Sequence, residues 1–332
     1  MEPIRVGING FGRIGRCTFK QMVEDDRFIV AGVNDLADPE ELAYLLKYDS
    51  VHGWYPRKVA FADGRLMVDD LRVGLTAQPE PGELPWGDLG VDVVIEATGA
   101  LRSRADAAGH LQAGARRVIL SAPSDDADDT LVVGVNEETF DPDRHLVVSN
   151  ASCTTNCLAP IAKVLHGSFG IEYLMMSTIH AYTSSQSLMD RPTRKRRRGR
   201  AAALSIVPTT TGAARATALV IPELEGRMDG MAFRVPVEDG SVVDLTAALS
   251  RRVTVEEVHA ALEEAASGRM KGVLRVTDEA LVSRDIIGDP HSSIVDSQST
   301  MLLRGDVVKV VSWYDNEWGY SARLKDLAAV VG

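Results

Sequence analysis

Cys153 and His180 are the two side chains whose types and settings could carry out nucleophilic catalysis. Cys153 lies in the polar stretch 149–157, between the apolar run 146–148 and a segment with apolar residues at helical spacing. The pattern predicts a strand, a tight turn and a helix, with Ser152 or a neighbour as N-cap and Cys153 in the first turn. Because the positive end of a helix dipole favours an anion, we expect this thiol to lose its proton easily. A buried structural cysteine is the alternative.

His180 is the candidate base, because it lies at the end of the next apolar run, 173–180. A cysteine at one strand end and a histidine at the next can meet across a single sheet, which predicts a Cys–His pair. Cys153 and Cys157 are one helical turn apart. No metal is expected there, because no further cysteine is near enough to complete a tetrahedral zinc site.

A glycine pattern near the N-terminus predicts a dinucleotide-binding turn. G-x-G-x-x-G follows the apolar strand 4–8 and opens a helical stretch that ends near Met22. Asp35 comes 20 residues after the third glycine, at the end of the next strand, where a carboxylate can accept hydrogen bonds from a ribose. The residues expected to line the cofactor at this turn are Gly10, Phe11, Gly12, Arg13, Ile14 and Gly15.

Strand and helix signals alternate along the first half of the chain, which predicts a Rossmann-type doubly wound parallel sheet over residues 1–152. Two of its strands end in small residues, at Thr98-Gly99 and at Ser121, where parallel strands meet a ligand. Residues 153–315 hold several strands with few helices between them, so we expect an α+β catalytic domain with a mixed sheet. Residues 316–332 are expected to form a helix that packs back on the first domain.

Composition and charge narrow the class of protein. The chain has 332 residues, 45% hydrophobic, with a net charge of −11 and three cysteines. Without a disulfide framework, a signal peptide or an apolar run long enough to span a bilayer, we expect a cytoplasmic protein that contacts no membrane. The negative charge disfavours nucleic-acid binding. Residues 190–200 are the exception, with seven basic residues and one acid.

Several long motifs carry a resemblance to a known family. They are residues 45–53, 149–157, 182–183, 208–214, 290–294 and 312–320. On these motifs the chain resembles phosphorylating glyceraldehyde-3-phosphate dehydrogenase from end to end. The resemblance implies that Cys153 attacks the aldehyde to form a thiohemiacetal and that His180 takes the proton and steadies the oxyanion. It also implies hydride transfer to NAD, a thioester, and attack by inorganic phosphate. Asn316 would orient the nicotinamide carboxamide, with Tyr320 of the same motif beside the cofactor.

The resemblance further implies two anion sites and a homotetramer. The site for the phosphate of glyceraldehyde 3-phosphate would use Thr183 and Arg234. The site for the attacking phosphate would use Ser152, Thr154, Thr211 and Gly212. Hydroxyls, backbone amides and a planar guanidinium all suit a phosphate group.

Asp35 leads us to expect NAD rather than NADP, because its carboxylate would repel the 2′-phosphate. The basic segment 190–200 coincides with a loop that, in the family, reaches a neighbouring subunit's cofactor. We interpret it as a paired or solvated interface loop. The alternative is that Arg191 or Arg194 holds an NADP 2′-phosphate.

Two other functions remain open from the sequence. Erythrose-4-phosphate dehydrogenase shares most of these motifs. A non-catalytic paralogue could use the basic segment to bind RNA or a protein partner. Aspartate-semialdehyde dehydrogenase is disfavoured because its cysteine context differs. The sequence does not distinguish a glycolytic from a gluconeogenic role.

Overall fold

The computed structural model describes residues 2–332, which divide into two compact units. The first unit contains the chain up to Leu131, then Glu137–Ala151 and Ser321–Gly332; the second contains Val132–Asn136 and Ser152–Tyr320. The sequence-based division after residues 152 and 315 stays a prediction about domains. It differs from the contact-defined units mainly at 316–320, which group with the second unit.

The first unit is built on a nine-stranded sheet. In chain order its elements are β1 (Ile4–Asn9), α1 (Arg13–Met22), β2 (Phe28–Asn34), α2 (Pro39–Lys47), the short pair β3 (Tyr48–Asp49) and β4 (Gly53–Trp54), β5 (Val59–Ala62), β6 (Arg65–Val68), β7 (Leu71–Thr76), β8 (Val93–Glu96), α3 (Arg104–Gln112), β9 (Arg117–Leu120), β10 (Asp129–Thr130) and β11 (Val147–Ser149).

The strand order is β10-β11-β9-β8-β1-β2-β7-β6-β5. Every neighbouring pair from β10 to β7 is parallel, and β6 and β5 are antiparallel additions at one edge. The parallel strands are buried because helices cover them, so they carry continuous apolar runs such as β8, all of it buried. This confirms the Rossmann-type doubly wound sheet. The antiparallel hairpin was not predicted from the sequence.

The second unit is built on an eight-stranded mixed sheet. Its elements are α4 (Cys153–Phe169), β12 (Ile171–Ala181), β13 (Val207–Thr210), α5 (Ala213–Val220), β14 (Met228–Val235), β15 (Ser241–Leu249), α6 (Val255–Ser267), β16 (Leu274–Thr277), β17 (Ser293–Asp296), β18 (Met301–Leu303) and β19 (Val307–Tyr314). The order is β13-β14-β12-β15-β19-β17-β16, with β18 paired to β19. The α+β expectation is therefore confirmed.

Helix ends follow the capping signals in the sequence. Ser103 and Thr254 each begin a helix with a reciprocal capping box, closed by Asp106 and Glu257 respectively. The last helix, α7 (Trp318–Val331), follows the turn that Asp315 caps by accepting from the Trp318 amide at 2.6 Å. Among residues 2–332, no helix is both long and apolar enough to cross a bilayer.

Candidate active site

A sharp turn brings the chain from β11 into α4. Ala151 adopts the left-handed conformation, with φ 53°, which a non-glycine residue takes only at some energetic cost. Ser152 then caps the helix, because its Oγ accepts from the Thr155 amide at 3.1 Å. Cys153 is consequently the first residue of the helix, as the sequence predicted.

Cys153 and His180 are in contact. The Cys153 Sγ lies 3.4 Å from the His180 Nε2, within hydrogen-bond reach for sulfur. The pair was predicted, but its predicted route across a single sheet is wrong. β11 belongs to the nine-stranded sheet, and His180 is on β12 of the mixed sheet. Cys153 reaches the histidine because α4 packs against β12 and β15.

The charge state of the pair differs from the expected thiolate. Burial raises the pKa of Cys153 to about 11, although the Arg234 guanidinium and hydrogen bonds to Thr154 oppose this rise. Burial also lowers the pKa of His180 to about 3, and Arg234 lowers it further. Both shifts favour a neutral thiol and a neutral imidazole before reaction. A neutral imidazole that accepts the thiol proton can activate the sulfur at the moment of attack.

The other cysteine of the helix has a structural environment. Cys157 is fully buried, and its thiol donates to the Ser312 carbonyl oxygen at 3.7 Å. Burial raises the pKa of Cys157 to about 12. Cys17 is also buried, at 1% exposure, whereas Cys153 is only partly buried. Cys153 is therefore the one cysteine of the three that is not buried.

The backbone fixes which nitrogen of His180 faces the sulfur. The Nδ1 lies 2.7 Å from the Ala181 carbonyl oxygen, which can only accept. Arg234 Nη1, which can only donate, lies 3.0 Å from the same Nδ1. We assign the Nδ1 proton to the shorter contact with the Ala181 carbonyl, and the Nε2 lone pair then points at Cys153. Arg234 is beside it because β12 and β14 pair in parallel with His180 opposite Arg234.

Arg234 and Thr183 meet, as the resemblance implied. Arg234 Nη1 donates to the Ala181 carbonyl at 2.9 Å and to Thr183 Oγ1 at 3.4 Å. Its Nε is buried and has no hydrogen-bond partner among residues 2–332. Arg234 as a whole is half-buried, and a guanidinium with an unused donor is suited to an anion.

Arg198 is a site residue that the sequence interpretation missed. Its Nε donates to Thr209 Oγ1 at 3.1 Å on β13, the strand next to Arg234. Its charge is close enough to lower the pKa values of His180 and Arg234. The surrounding run of basic residues concealed it, since nothing in the sequence separates Arg198 from its exposed neighbours.

The residues expected for the second anion site lie at two helix N-termini. Ser152 and Thr154 are at the start of α4, and Thr211 and Gly212 are at the start of α5, which packs against α4. A side chain built on Gly212 would meet no atom within 4 Å, so the approach to the α5 amides is open. Thr154 Oγ1 also bonds to Tyr314 OH at 3.0 Å.

A hydrogen bond from Ser241 fixes the side chain of Asn316. Ser241 Oγ donates to Asn316 Oδ1 at 2.5 Å and accepts from the Ala181 amide at 3.1 Å. Ser241 is fully buried and Asn316 is 5% exposed. The Asn316 amide NH₂ thus keeps a fixed direction. Tyr320, in the first turns of α7, is also buried.

The glycine turn of the first unit fits a pyrophosphate. Gly10 has φ +93°, and a Cβ there would lie 2.5 Å from the Thr98 amide nitrogen. A Cβ on Gly15 would lie 2.1 Å from the Gly10 carbonyl oxygen. At Gly12, the N-cap of α1, a Cβ would meet nothing within 4 Å, and no described side chain caps this helix. Open space at an uncapped helix N-terminus is where phosphates bind.

The remaining cofactor candidates surround this turn. Asp35 Oδ2 accepts from the Phe11 amide at 2.7 Å, which ties the acid to the glycine turn. Thr98 and Gly99 follow β8, and Ser121 follows β9, the neighbouring strand. Arg13 and Ile14 are in the first turn of α1. The first unit therefore brings the residues predicted to bind adenosine and pyrophosphate to one edge of its sheet.

The basic segment has few internal ion pairs. Arg200 pairs with Asp190 at 2.9 Å, and Arg191 Nε donates to Ser187 Oγ at 3.0 Å. The side chains of 194–197 are exposed. The described residues thus include no acid cluster that neutralises this segment within one chain.

Comparisons with known proteins agree with this chemistry. Residues 4–104 match the family model for the NAD-binding domain of glyceraldehyde 3-phosphate dehydrogenase, and residues 152–316 match the model for its C-terminal domain. Glyceraldehyde-3-phosphate dehydrogenase of Geobacillus stearothermophilus is 55% identical over 328 residues, covering 99% of this chain and 98% of that protein. Glyceraldehyde-3-phosphate dehydrogenase 1 of Bacillus subtilis (strain 168) is 52% identical with the same coverage.

Matches to both family models and high identity over nearly the whole chain agree with the Cys–His pair and the glycine turn. The chain therefore belongs to the glyceraldehyde-3-phosphate dehydrogenase family and is an NAD-dependent oxidoreductase that acts on an aldehyde.

Proposed function

We propose that the second unit oxidises glyceraldehyde 3-phosphate and passes the acyl group to inorganic phosphate through Cys153. The observation that carries this proposal is the 3.4 Å contact between Cys153 Sγ and His180 Nε2 at the start of a helix. As the sulfur attacks the aldehyde carbon, the thiol proton moves to Nε2 and a thiohemiacetal forms. His180 then gives this proton to the developing oxyanion, which becomes the hydroxyl of the thiohemiacetal, and takes it back when the hydride leaves.

NAD supplies the hydride acceptor when it is bound. Loss of hydride from the thiohemiacetal carbon leaves a thioester on Cys153, and phosphate attack releases the acyl phosphate and the thiolate. Asn316 orients the nicotinamide carboxamide, and its support from Ser241 makes one orientation dominant. Tyr320 completes this side of the cofactor site.

Two sets of residues bind the phosphates in this proposal. Thr183 and Arg234 hold the substrate phosphate, and the unused buried Nε of Arg234 favours this role. Ser152, Thr154, Thr211 and Gly212 receive inorganic phosphate at the helix N-termini. Arg198 adds a second guanidinium near Arg234.

The first unit binds NAD through the glycine turn, with these residues around the dinucleotide: Gly10, Phe11, Gly12, Arg13, Ile14, Gly15, Thr98, Gly99 and Ser121. Asp35 binds the adenosine ribose. Its carboxylate beside the glycine turn favours NAD over NADP, because a 2′-phosphate there would meet a like charge.

We also propose that the protein works as a homotetramer in the cytoplasm. Four large apolar side chains of the second unit support an assembly, since each is at least two-thirds exposed: Leu188 at 80%, Met189 at 70%, Leu204 at 81% and Ile206 at 67%. Light scattering after gel filtration measures the mass, and a monomer would contradict the proposal.

The test of the reaction is NADH formation at 340 nm with glyceraldehyde 3-phosphate, NAD and inorganic phosphate. We expect turnover that requires phosphate and is absent in Cys153→Ser, with a smaller kcat/KM for NADP than for NAD. Phosphate-independent turnover, or a larger kcat/KM for erythrose 4-phosphate, would overturn the proposal.

A further inference from the structure

A buried polar network lies directly beneath the dinucleotide turn of the first unit. Its centre is Glu96, the last residue of β8, with 1% of its surface exposed. The neighbouring strands β1 and β2 also end in buried polar residues, Asn9 and Asn34, each 4% exposed. Buried polar groups are costly unless they are hydrogen-bonded, so the partners of these side chains define what the network does.

The Glu96 carboxylate accepts four hydrogen bonds. Its Oε2 accepts from Asn9 Nδ2 at 2.6 Å and lies 3.1 Å from His110 Nε2. Its Oε1 accepts from the Thr98 amide at 2.9 Å and from the Thr98 hydroxyl. One carboxylate thereby joins the end of β1, a histidine of α3 and the turn that follows β8.

Trp86 determines which ring nitrogen of His110 carries the proton. An indole N–H can only donate, and Trp86 Nε1 lies 3.0 Å from His110 Nδ1. The Nδ1 must accept, so the proton of the neutral ring is on Nε2 and is donated to Glu96. His110 and Trp86 are 0% and 1% exposed. The imidazole is thus a fixed donor to the carboxylate.

The network continues to the strand that carries Asp35. Asn9 Oδ1 accepts from Asn34 Nδ2 at 2.7 Å, and Asn34 Oδ1 accepts from the Gln78 amide at 2.8 Å. Each strand of the network is followed within two residues by a cofactor candidate. Asn9 precedes Gly10, Asn34 precedes Asp35, and Glu96 is two residues before Thr98.

We propose that Glu96 is a positioning residue for NAD, because its carboxylate fixes the glycine turn, Asp35 and the Thr98 turn relative to one another. The loops are close enough to transmit a displacement. At Gly10 there is no room for even a Cβ against the Thr98 backbone. A change at Glu96 therefore weakens dinucleotide binding while the Cys153 chemistry of the second unit is kept.

Glu96→Gln is the direct test, because it keeps the shape and replaces an acceptor with an NH₂ that faces other donors. We expect the Kd for NADH, measured by calorimetry without aldehyde, to rise by about ten-fold or more. ADP-ribose, which lacks the nicotinamide, should lose the same factor. The KM for NAD should rise in parallel, with kcat changed by less than about two-fold.

Asp92→Asn is the matched control. Asp92 directly precedes β8, and its Oδ2 accepts from the Arg5 amide of β1 at 2.9 Å, so a carboxylate also joins these two strands at their opposite ends, with 22% of its side chain exposed. We expect this variant to bind NADH like the original protein. Asn9→Asp added to Glu96→Gln should recover much of the lost affinity, because the donor and acceptor of the 2.6 Å bond are then exchanged.

An unchanged Kd in Glu96→Gln, an equal loss in Asp92→Asn, or no recovery in the double variant would each overturn the proposal. If Glu96→Gln does not fold, Trp86→Phe removes the indole donor to His110 together with part of a buried core side chain. Unchanged NADH affinity in that variant, once it is shown to fold, would also overturn the proposal. The binding measurements need no aldehyde, so they stand apart from the identity of the substrate.

Discussion

Replacement of Ser241 by alanine should lower both the stability of the protein and its kcat. The hydroxyl makes two buried bonds, one to Asn316 Oδ1 at 2.5 Å and one from the Ala181 amide at 3.1 Å. At about 1 kcal/mol of net stability for each bond, Ser241→Ala should lower the free energy of unfolding by about 2 kcal/mol. The released Asn316 side chain can then occupy other staggered rotamers.

The kinetic effect follows from that freedom. If the productive Asn316 orientation falls to about one tenth of the population, kcat falls about ten-fold, which equals about 1.4 kcal/mol. The assay is NADH formation at saturating NAD, aldehyde and phosphate, together with urea unfolding followed by circular dichroism. We expect the KM for glyceraldehyde 3-phosphate to change little, because Ser241 does not contact the proposed phosphate ligands.

Ser293→Ala is the matched control for this prediction. Ser293 is equally buried on the same sheet, and its hydroxyl also has two partners, Ser312 Oγ at 2.8 Å and the Cys157 thiol at 3.8 Å, so its loss should cost similar stability. We expect that variant to keep kcat within about two-fold. A Ser241→Ala enzyme that loses stability like Ser293→Ala but keeps its kcat would refute the argument that Ser241 orients Asn316.

Three further outcomes follow from contacts already described. His180→Asn should lower kcat by about 10³-fold in the same NADH assay, because the acceptor for the thiol proton is lost. Gly15→Ala should weaken NADH binding and also lower the melting temperature, because its Cβ would lie 2.1 Å from the Gly10 carbonyl oxygen. Gly12→Ala should weaken NADH binding at an unchanged melting temperature, because its Cβ would meet no protein atom within 4 Å. Asp49→Asn should cost about 3 kcal/mol in urea unfolding at pH 7, because Asp49 is a buried partner of a cation. Burial alone would raise the pKa of Asp49, but the hydrogen bonds from Arg13 and from the His52 amide outweigh it and hold this pKa below its ordinary value. The stability is therefore present above about pH 4, and the difference between variants should shrink as the pH falls further.

Local patterns predicted the site residues whose neighbours in sequence are also their partners in space. The glycine turn and Asp35 follow from a strand–helix–strand pattern, and the structure adds the 2.7 Å bond from the Phe11 amide to the Asp35 carboxylate. Ser152 was recognisable as a cap because a helix start needs an acceptor side chain. These signals act over a few residues, where backbone geometry alone decides the outcome.

Partners that are far apart in the sequence could not be predicted from local patterns. Ser241 is 75 residues from Asn316, and Glu96 is 87 residues from Asn9, so each pair depends on strand order and register. The pKa of the Cys153 thiol likewise depends on packing that local sequence patterns do not show. The helix N-terminus suggested an easily lost proton, but burial, which depends on the packed unit, raises the pKa of Cys153 to about 11.

Because two of the three thiols are buried in the folded chain, the number of reactive thiols in a preparation measures its folded fraction. Cys17 and Cys157 are 1% and 0% exposed, so a small alkylating reagent should modify one sulfur per folded chain. In denaturant the same reagent should find all three. The ratio of the two titrations then measures which fraction of a preparation is correctly folded, without any substrate or cofactor.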